Sequence, residues 1–275
     1  MQNEATLSEA AANMVENAGM RVAERHGGRI TAVHLAPYLP MSLGLIQSCL
    51  DDSVDNASVF RDDQEHVTVY EFAAYRGKES GRAALNATNC LSCDAPLAPR
   101  APDAFCGVCR QALRKELTRL ADATGWPAEA VYEHEILRIA SRFDGPVRAE
   151  DLASRSRYTM KNMRRKLGKM SLAGFIRKEF DETTGMVVYH VPAIKYSAEQ
   201  FRTNMAVIRG YPAAAMEDIQ LRVAHVLGAL GVLLIVLLVL ALLHFPYPLL
   251  ALGFVITAPV LSLIIWRRRG PAEPD

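Results

Sequence analysis

Four of the five cysteines in this 275-residue chain form two closely spaced pairs. Cys90 and Cys93 make the first Cys-x2-Cys pair, and Cys106 and Cys109 make the second, with 12 residues between the pairs. Each pair directs two sulfurs toward a common point, and two such pairs complete a tetrahedral thiolate site of the kind that zinc occupies. Four cysteine ligands leave no coordination position for water, so the pattern predicts a structural zinc ion and not a catalytic one.

A redox-active dithiol and a rubredoxin-like iron site are the alternatives for these four thiols. The segment between the pairs, DAPLAPRAPDAF, is rich in proline and lacks the strand-to-helix setting of a thioredoxin-type pair. The spacing resembles that of zinc ribbons and knuckles, and this resemblance implies a role in supporting the fold. Cys49 stands alone in an apolar segment, and we expect it to be a buried small hydrophobe.

A second chemically distinctive feature is a run of basic residues without acidic ones. Residues 153–178 contain nine Lys and Arg and no Asp or Glu. A helix is predicted from Thr159, its N-cap, to Ala173, and at about 100° per residue its methionines and Leu167 fall on one side. The rest of the helix then presents five cations, Lys161, Arg164, Arg165, Lys166 and Lys169.

A helix face with a single sign of charge is typical of contacts with nucleic-acid phosphates and base edges. The predicted DNA-binding residues are Arg155, Arg157, Lys161, Arg164, Arg165 and Lys169. Two alternatives remain open, because the same face could rest on anionic lipid or on an acidic protein partner. Asp181 and Glu182 argue against DNA, since they lie in the turn after the next predicted strand and would repel a phosphate backbone.

The elements around the basic helix have a recognisable order. Helices are predicted at 128–143, 149–154 and 159–173, followed by two strands at 175–180 and 186–191 around a turn. This order resembles the winged helix-turn-helix superfamily, as does the run Met163-x3-Leu167-x2-Met170-x3-Gly174 at the end of the third helix. The resemblance implies that the third helix enters the major groove of double-stranded DNA.

Residues 6–75 resemble a second, divergent copy of the same pattern. Its third helix, predicted at 41–54, carries Asp51 and Asp52 where the other copy carries cations. Residues 1–82 hold 7 Lys and Arg against 12 Asp and Glu, a net of −5, whereas residues 128–195 hold 13 against 9, a net of +4. The first copy is therefore expected to contact a protein partner or to self-associate, and not to bind DNA.

Two long apolar stretches, 223–243 and 249–266, lie near the C-terminus. Their lengths predict two transmembrane helices joined by a short turn, because a helix of about 20 apolar residues spans a bilayer. Arg222 precedes the first stretch and Arg267, Arg268 and Arg269 follow the second, which predicts cytoplasmic N- and C-termini and contact with membrane lipid. The expected localisation is the cytoplasmic (inner) membrane, with a multi-pass arrangement.

The predicted fold class is α+β, with two winged-helix domains flanking a small zinc ribbon and a C-terminal transmembrane α-hairpin. The predicted segments are an acidic winged helix at 1–82, the four-cysteine ribbon and linker helix at 83–127, a basic winged helix at 128–195, a linker at 196–221, and the hairpin with its basic tail at 222–275. We find no catalytic motif, no phosphate-binding glycine loop and no evident site for a small-molecule substrate. The expected function is that of a membrane-anchored DNA-binding transcription regulator or chromosome tether, the alternative being a membrane-bound adaptor that docks proteins without binding DNA.

Overall fold

A computed structural model describes residues 8–54, 59–64, 66–76, 88–98 and 104–214, with six further positions between 230 and 238. The chain divides into two compact units, residues 1–217 and residues 218–275. The first unit is a mixed α/β structure, in which helices surround one three-stranded and one two-stranded antiparallel sheet. These two small sheets belong to two halves of the unit that have a similar order of elements.

The first half consists of helices and short strands in the order α1 (Glu9–Arg25), β1 (Arg29–Ile30), α2 (Ala32–Leu35), α3 (Leu43–Val54), β2 (Val59–Gln64) and β3 (Val67–Phe72). The strand order is β1-β3-β2, so the short first strand pairs with the last one. Alternate residues of β3 are buried, and Tyr70 and Phe72 contribute to a core completed by α1 and α3. The third helix begins at Leu43, close to the predicted start at residue 41.

The second half contains α5 (Trp126–Ala140), α6 (Ala149–Ala153), α7 (Met160–Leu172), β4 (Arg177–Asp181) and β5 (Met186–His190), and it is preceded by α4 (Gly107–Thr124). Val147 forms an isolated antiparallel bridge with Tyr189 of β5. A short first extended segment therefore pairs with the last strand here too, as in the first half. The element order matches the sequence-based expectation, while membership of the winged-helix superfamily stays a prediction.

Local sequence signals define the basic helix α7. The side chain of Thr159 accepts a hydrogen bond from the Asn162 backbone N–H, which confirms the predicted N-cap. Beyond the C-terminus, Gly174 has a φ of 76°, a left-handed conformation that favours glycine. Met163, Leu167 and Met170 are buried, as the helical wheel predicts.

The two halves pack together within the first unit. The Leu43 backbone N–H, at the start of α3, donates to Glu133 Oε2 on α5 at 2.8 Å. The Thr68 backbone N–H on β3 donates to the carbonyl oxygen of Gly174 at 2.9 Å. The predicted linker at 196–221 contains helix α8 (Ala198–Ile208), which contacts α5, so part of this segment belongs to the packed unit.

The transmembrane α-hairpin in the predicted fold class is contradicted. Across the described parts of the chain, no helix combines the length and the apolar character needed to cross a membrane. Most of the segment predicted to form the hairpin, residues 222–275, lies outside the described residues. That prediction rested on the length and apolar character of 223–243 and 249–266 and on the arginines that flank them. The predicted localisation in the inner membrane depended on the hairpin and is corrected with it.

Candidate metal centre and basic helix

The four paired cysteines come together in one cluster. All four Sγ atoms lie within 4.8 Å of one another, and the Sγ atoms of Cys93 and Cys106 are 3.6 Å apart. In a tetrahedral site with metal–sulfur bonds of about 2.3 Å, the sulfurs are separated by about 3.8 Å. Cys90 and Cys109 are buried, and Cys93 is exposed. The cluster therefore has the dimensions to hold one metal ion, as the sequence spacing predicts.

A tight turn shapes the first cysteine pair. The Cys90 N–H donates to the Ala95 carbonyl at 2.8 Å, and the Asp94 N–H donates back to the Cys90 carbonyl at 3.1 Å. Asp94 adopts a left-handed conformation, with a φ of 63°, that aspartate tolerates better than most residues do. Asn89 Nδ2 donates to Asp94 Oδ1 at 3.0 Å and so holds the turn from outside.

The second pair lies at the N-terminus of helix α4. Cys106 is the N-cap residue and Cys109 lies in the first turn. The unpaired backbone N–H groups of a first helical turn favour negative charge, which suits thiolate ligands. The Leu91 N–H donates to the Ala104 carbonyl at 2.8 Å, and this hydrogen bond joins the two pairs.

The buried thiols differ in their acidity. Burial raises the pKa of Cys109 to about 12. Burial also acts to raise the pKa of Cys90, but backbone N–H groups, among them those of Cys106 and Cys93, outweigh it and bring the pKa to about 7. A bound cation would favour the thiolate form of all four residues, since a metal ligand must be deprotonated. Cys49 is buried on α3, away from the cluster, as expected for a structural thiol.

The four-cysteine cluster is tied to the first half of the unit by an ion pair. Arg21 on α1 contacts Asp94 in the first cysteine turn at 2.8 Å. Farther along α4, the Ser8 backbone N–H at the start of α1 donates to Glu116 Oε1 at 2.6 Å. The first cysteine turn is therefore in contact with α1, and the second cysteine pair forms the start of α4.

Four of the predicted DNA-binding residues lie exposed on helix α7. They are Lys161, Arg164, Arg165 and Lys169. Arg164 also contacts Glu150 on α6 at 2.7 Å, and its guanidinium lowers the pKa of that carboxyl. Arg155 is exposed in the preceding turn, where its guanidinium lies 4.5 Å from the centre of the Phe143 ring.

Two cations of the predicted basic surface are directed into the protein. Arg157 is only 30% exposed, and its Nε donates to Glu135 on α5 at 3.0 Å. Lys166 is 5% exposed, with its Nζ 3.8 Å from the ring centre of Tyr132 and 4.8 Å from that of Tyr158. The prediction that Lys166 belongs to the exposed face is wrong, because two aromatic rings provide a cation–π environment on the core side of the helix.

The corresponding helix of the first half, α3, presents no basic face. Asp51 accepts hydrogen bonds from Tyr70 at 2.6 Å and from Arg61 at 2.9 Å, and Asp52 is exposed. Burial, together with the hydrogen bond to Asp51, raises the pKa of the Tyr70 hydroxyl. Asp51 thus helps to hold α3 against the β2–β3 hairpin, and together with Asp52 it makes the surface of α3 acidic.

A buried polar network between the two halves escaped the sequence analysis. His134 Nε2 contacts the Met41 carbonyl at 2.9 Å, and His134 Nδ1 contacts the Tyr196 hydroxyl. Asn204 on α8 donates to the Ala36 carbonyl at 3.0 Å. Burial raises the pKa of the neighbouring Glu133 to about 8 and lowers that of His134 to about 4. Helix α5 also carries Glu129, Glu135 and Arg138, so charge alone did not distinguish Glu133 and His134 in the sequence.

No protein-family model, no curated protein and no solved structure matches this chain. The four-cysteine cluster and the exposed helix surfaces are therefore the features that indicate a function.

Proposed function

We propose that this chain is a DNA-binding regulator whose helix α7 enters the major groove of double-stranded DNA. In this proposal, residues 126–190 form a winged helix and a structural zinc ion occupies the four-cysteine cluster. The observation that carries the proposal is the exposed face of α7, where Lys161, Arg165 and Lys169 lie without an acidic residue anywhere on the helix.

One side of α7 carries a stripe formed by the exposed Lys161, Arg165 and Leu172 and the half-buried Gly168. Lys161, Arg165, Gly168 and Leu172 follow one another at intervals of four, three and four residues, which places them on one side of a helix. Gly168 is at the middle of this stripe, and a Cβ added there would meet no atom within 4 Å. Internal packing therefore does not require glycine at this position, and its small size allows a ligand to approach the helix backbone closely.

The cations have different roles in this arrangement. Arg165 has the length and the planar donor geometry to contact a guanine edge, whereas Lys161 and Lys169 supply point charges for phosphates. Arg164 is held by Glu150, so it approaches the DNA from a position fixed by α6. Arg157 is better assigned to the structure of the unit, because it pairs with Glu135.

Zinc is the metal that best fits the cluster. Four cysteine thiolates within the reach of one ion are the ligand set of closed structural zinc sites, and such sites contribute directly to folding. When bound, the ion would cross-link Cys90 and Cys93 to Cys106 and Cys109 at the start of α4. The Arg21–Asp94 ion pair would extend this support to α1.

A second candidate function is that of an adaptor that binds proteins only. It is supported by the acidic surface of α3 and by Asp181, which lies at the end of β4 next to the turn of the second hairpin. The side chain of Asp181 already accepts hydrogen bonds from the Thr184 hydroxyl and the Thr183 N–H within that turn. Its charge would still oppose close contact between the tip of the hairpin and DNA phosphates.

Salt-dependent DNA binding by the 275-residue chain distinguishes the two functions. Fluorescence anisotropy would be measured with a preferred duplex, selected from random sequences, and with an unselected duplex. We expect Lys169→Ala to weaken binding to both duplexes alike and to shallow the log–log salt dependence by about 0.9. Arg165→Ala should weaken binding to the preferred duplex by about 1–3 kcal/mol and reduce the preference at one base pair.

Arg209→Ala is the matched control, because Arg209 is also exposed but lies at the end of α8. This substitution should leave the DNA affinity unchanged. If the wild-type protein bound duplex DNA no better than heparin and showed no sequence preference, the regulator function would be refuted and the adaptor function would remain.

A further inference from the structure

The four cysteines of the cluster differ in their exposure to solvent. Cys90 and Cys109 are 0% and 9% exposed, whereas Cys93 is exposed and Cys106 is half-buried. The susceptibility of a cysteine to oxidation follows its thiolate character and its exposure. All metal ligands are thiolates, so exposure is the property that distinguishes the four residues. Cys93 is therefore the ligand that an oxidant in solution reaches first.

Cys106 is well placed to react with an oxidised Cys93. The Sγ atoms of the two residues are 3.6 Å apart, and a disulfide bond is about 2.05 Å long, so an approach of about 1.5 Å would join them. Cys106 is the N-cap of α4, with an extended backbone conformation (φ −68° and ψ 165°). Because an N-cap residue lies at the edge of its helix, a rotation of the Cys106 side chain leaves α4 intact.

The other two cysteines are less suited to react with Cys93. Cys90 is fully buried, and its backbone N–H and carbonyl both form hydrogen bonds within the tight turn. Cys109 is also buried and lies inside the first turn of α4. The main competing product is a disulfide between Cys106 and Cys109, and its formation would have to start at a residue less exposed than Cys93.

We propose that Cys93 and Cys106 are a redox-sensitive pair, which hydrogen peroxide converts to a disulfide with loss of the metal from the cluster. The inference rests on the structural zinc site proposed above and is independent of DNA binding. It assigns the two more exposed ligands a role beyond supporting the fold, whereas Cys90 and Cys109 remain structural.

The reaction consumes one peroxide and two thiolates. The Cys93 thiolate attacks one peroxide oxygen, the O–O bond breaks, and Cys93 becomes a sulfenic acid as hydroxide leaves. The Cys106 thiolate then attacks the Cys93 sulfur, so that the S–S bond forms and the S–O bond breaks with loss of a second hydroxide. Two protons from solution convert both hydroxides to water. The two sulfurs together lose two electrons, and the peroxide is reduced to two molecules of water.

The disulfide removes one ligand from each cysteine pair. Cys90 and Cys109 then remain as the only two thiolates, whereas a closed structural zinc site has four ligands. These two residues alone do not retain the ion against a chelator. Because a disulfide is reversible, a thiol reductant should restore all four thiols and the capacity to bind zinc.

The test treats the zinc-loaded 275-residue protein with excess hydrogen peroxide and measures the released zinc with a chromogenic chelator. In parallel, the oxidised protein is alkylated, digested with trypsin without reduction and analysed by mass spectrometry. Trypsin cleaves after Arg100, which separates the first cysteine pair from the second. We expect one zinc to be released per disulfide, two tryptic peptides joined through Cys93 and Cys106, and recovery of zinc binding after dithiothreitol is added with zinc.

The variant Cys93→His separates metal binding from oxidation. Histidine replaces cysteine in zinc sites with three cysteine ligands, so the variant should still bind one zinc. It cannot form the disulfide, and it should keep its zinc at a peroxide concentration that removes most of the zinc from wild type. Cys49→Ala removes the buried thiol of α3 and is the matched control, which should lose zinc as wild type does.

The peptide map of wild type decides the assignment even if Cys93→His does not fold. A disulfide within either pair, Cys90–Cys93 or Cys106–Cys109, would overturn it. Retention of zinc in peroxide, or release of zinc with only sulfinic and sulfonic acids that dithiothreitol does not reverse, would overturn it as well. If the protein contained no zinc but peroxide still joined Cys93 to Cys106, the zinc proposal would fail and the redox pair would stand.

Discussion

Replacing Gly174 with alanine tests the contact that joins the end of α7 to strand β3 of the other half. Gly174 has a φ of 76°, and its carbonyl oxygen accepts a hydrogen bond from the Thr68 N–H at 2.9 Å. A Cβ built on Gly174 would lie 2.8 Å from Thr68 Oγ1, closer than real Cβ contacts allow. The substitution therefore introduces backbone strain and a steric clash at the same point.

The two effects can be estimated separately. A residue with a Cβ costs about 1–2 kcal/mol in the left-handed region. Overpacking a well-packed contact costs about 1–3 kcal/mol. We therefore expect Gly174→Ala to lower the free energy of unfolding by about 2–5 kcal/mol. In a unit spanning residues 1–217, each kcal/mol shifts the melting temperature by about 2–4 °C.

Chemical denaturation of the purified protein, followed by circular dichroism, measures these differences, and two variants separate their causes. Gly125 has a φ of 64°, but a Cβ there would meet no atom within 4 Å. Gly125→Ala should therefore show the backbone term alone, about 1–2 kcal/mol. In Gly174→Ala/Thr68→Ala the clashing oxygen is removed, and the nearest atom of residue 68 is then the backbone N at 3.5 Å.

A double-mutant cycle completes the test. Thr68→Ala by itself also removes a hydrogen bond that lowers the pKa of Asp63, so its own effect on the free energy of unfolding is subtracted. After this subtraction, the destabilisation caused by Gly174→Ala should fall to that caused by Gly125→Ala. If Gly174→Ala costs no more than Gly125→Ala in the presence of Thr68, the two halves do not touch here in solution. The packing of the halves as one unit would then be wrong at this contact.

Two further predictions concern the metal centre and the buried carboxyl group. The purified protein should contain about one zinc per chain by atomic emission, and Cys93→Ser or Cys106→Ser should lower its thermal stability. The control Cys49→Ala should not alter the metal content. A protein that is fully folded without metal would refute the structural role of the ion. Burial raises the pKa of Glu133 to about 8, so the folded chain keeps the carboxyl proton up to that pH. The unfolded chain releases this proton above about pH 4.3. The contribution of Glu133 to the free energy of unfolding should therefore fall as the pH rises toward 8. Denaturation between pH 6.5 and 8 should show that the difference in unfolding free energy between wild type and Glu133→Gln declines as the pH rises. Taking this difference cancels the titration of His134, which is neutral in the folded chain but half protonated in the unfolded chain at about pH 6.5.

Sequence alone was sufficient where the signal is local. The start of α7 depends on the hydroxyl of Thr159 and its end on the backbone freedom of Gly174, and both features can be read within a few residues. The spacing of the cysteine pairs likewise predicted that four thiols could meet, because each pair is a single turn and the distance between pairs is short. The apolar side of α7 followed from helical periodicity, since Met163 and Leu167 recur at helical intervals.

The prediction of two membrane spans near the C-terminus rested on sequence hydropathy and length. Among the residues that the structure describes, no helix is long and apolar enough to cross a membrane. The sequence also misled about the exposure of Lys166. Its charge predicted exposure, yet its position on the wheel borders the buried side, where Tyr132 and Tyr158 can stabilise an ammonium group.

Only the tertiary structure showed which buried polar groups and which charged side chains pair with one another. Glu133 receives the first N–H of α3 across a separation of 90 residues, and no local pattern in either segment predicts that pairing. Arg157 is removed from the basic surface by its ion pair with Glu135, and Glu116 of α4 accepts a hydrogen bond from the Ser8 N–H. The exposed charge of these segments therefore differs from their sequence charge. Periodicity and capping act within a few residues and can be read from sequence, whereas the partner of a buried polar group is chosen by long-range packing.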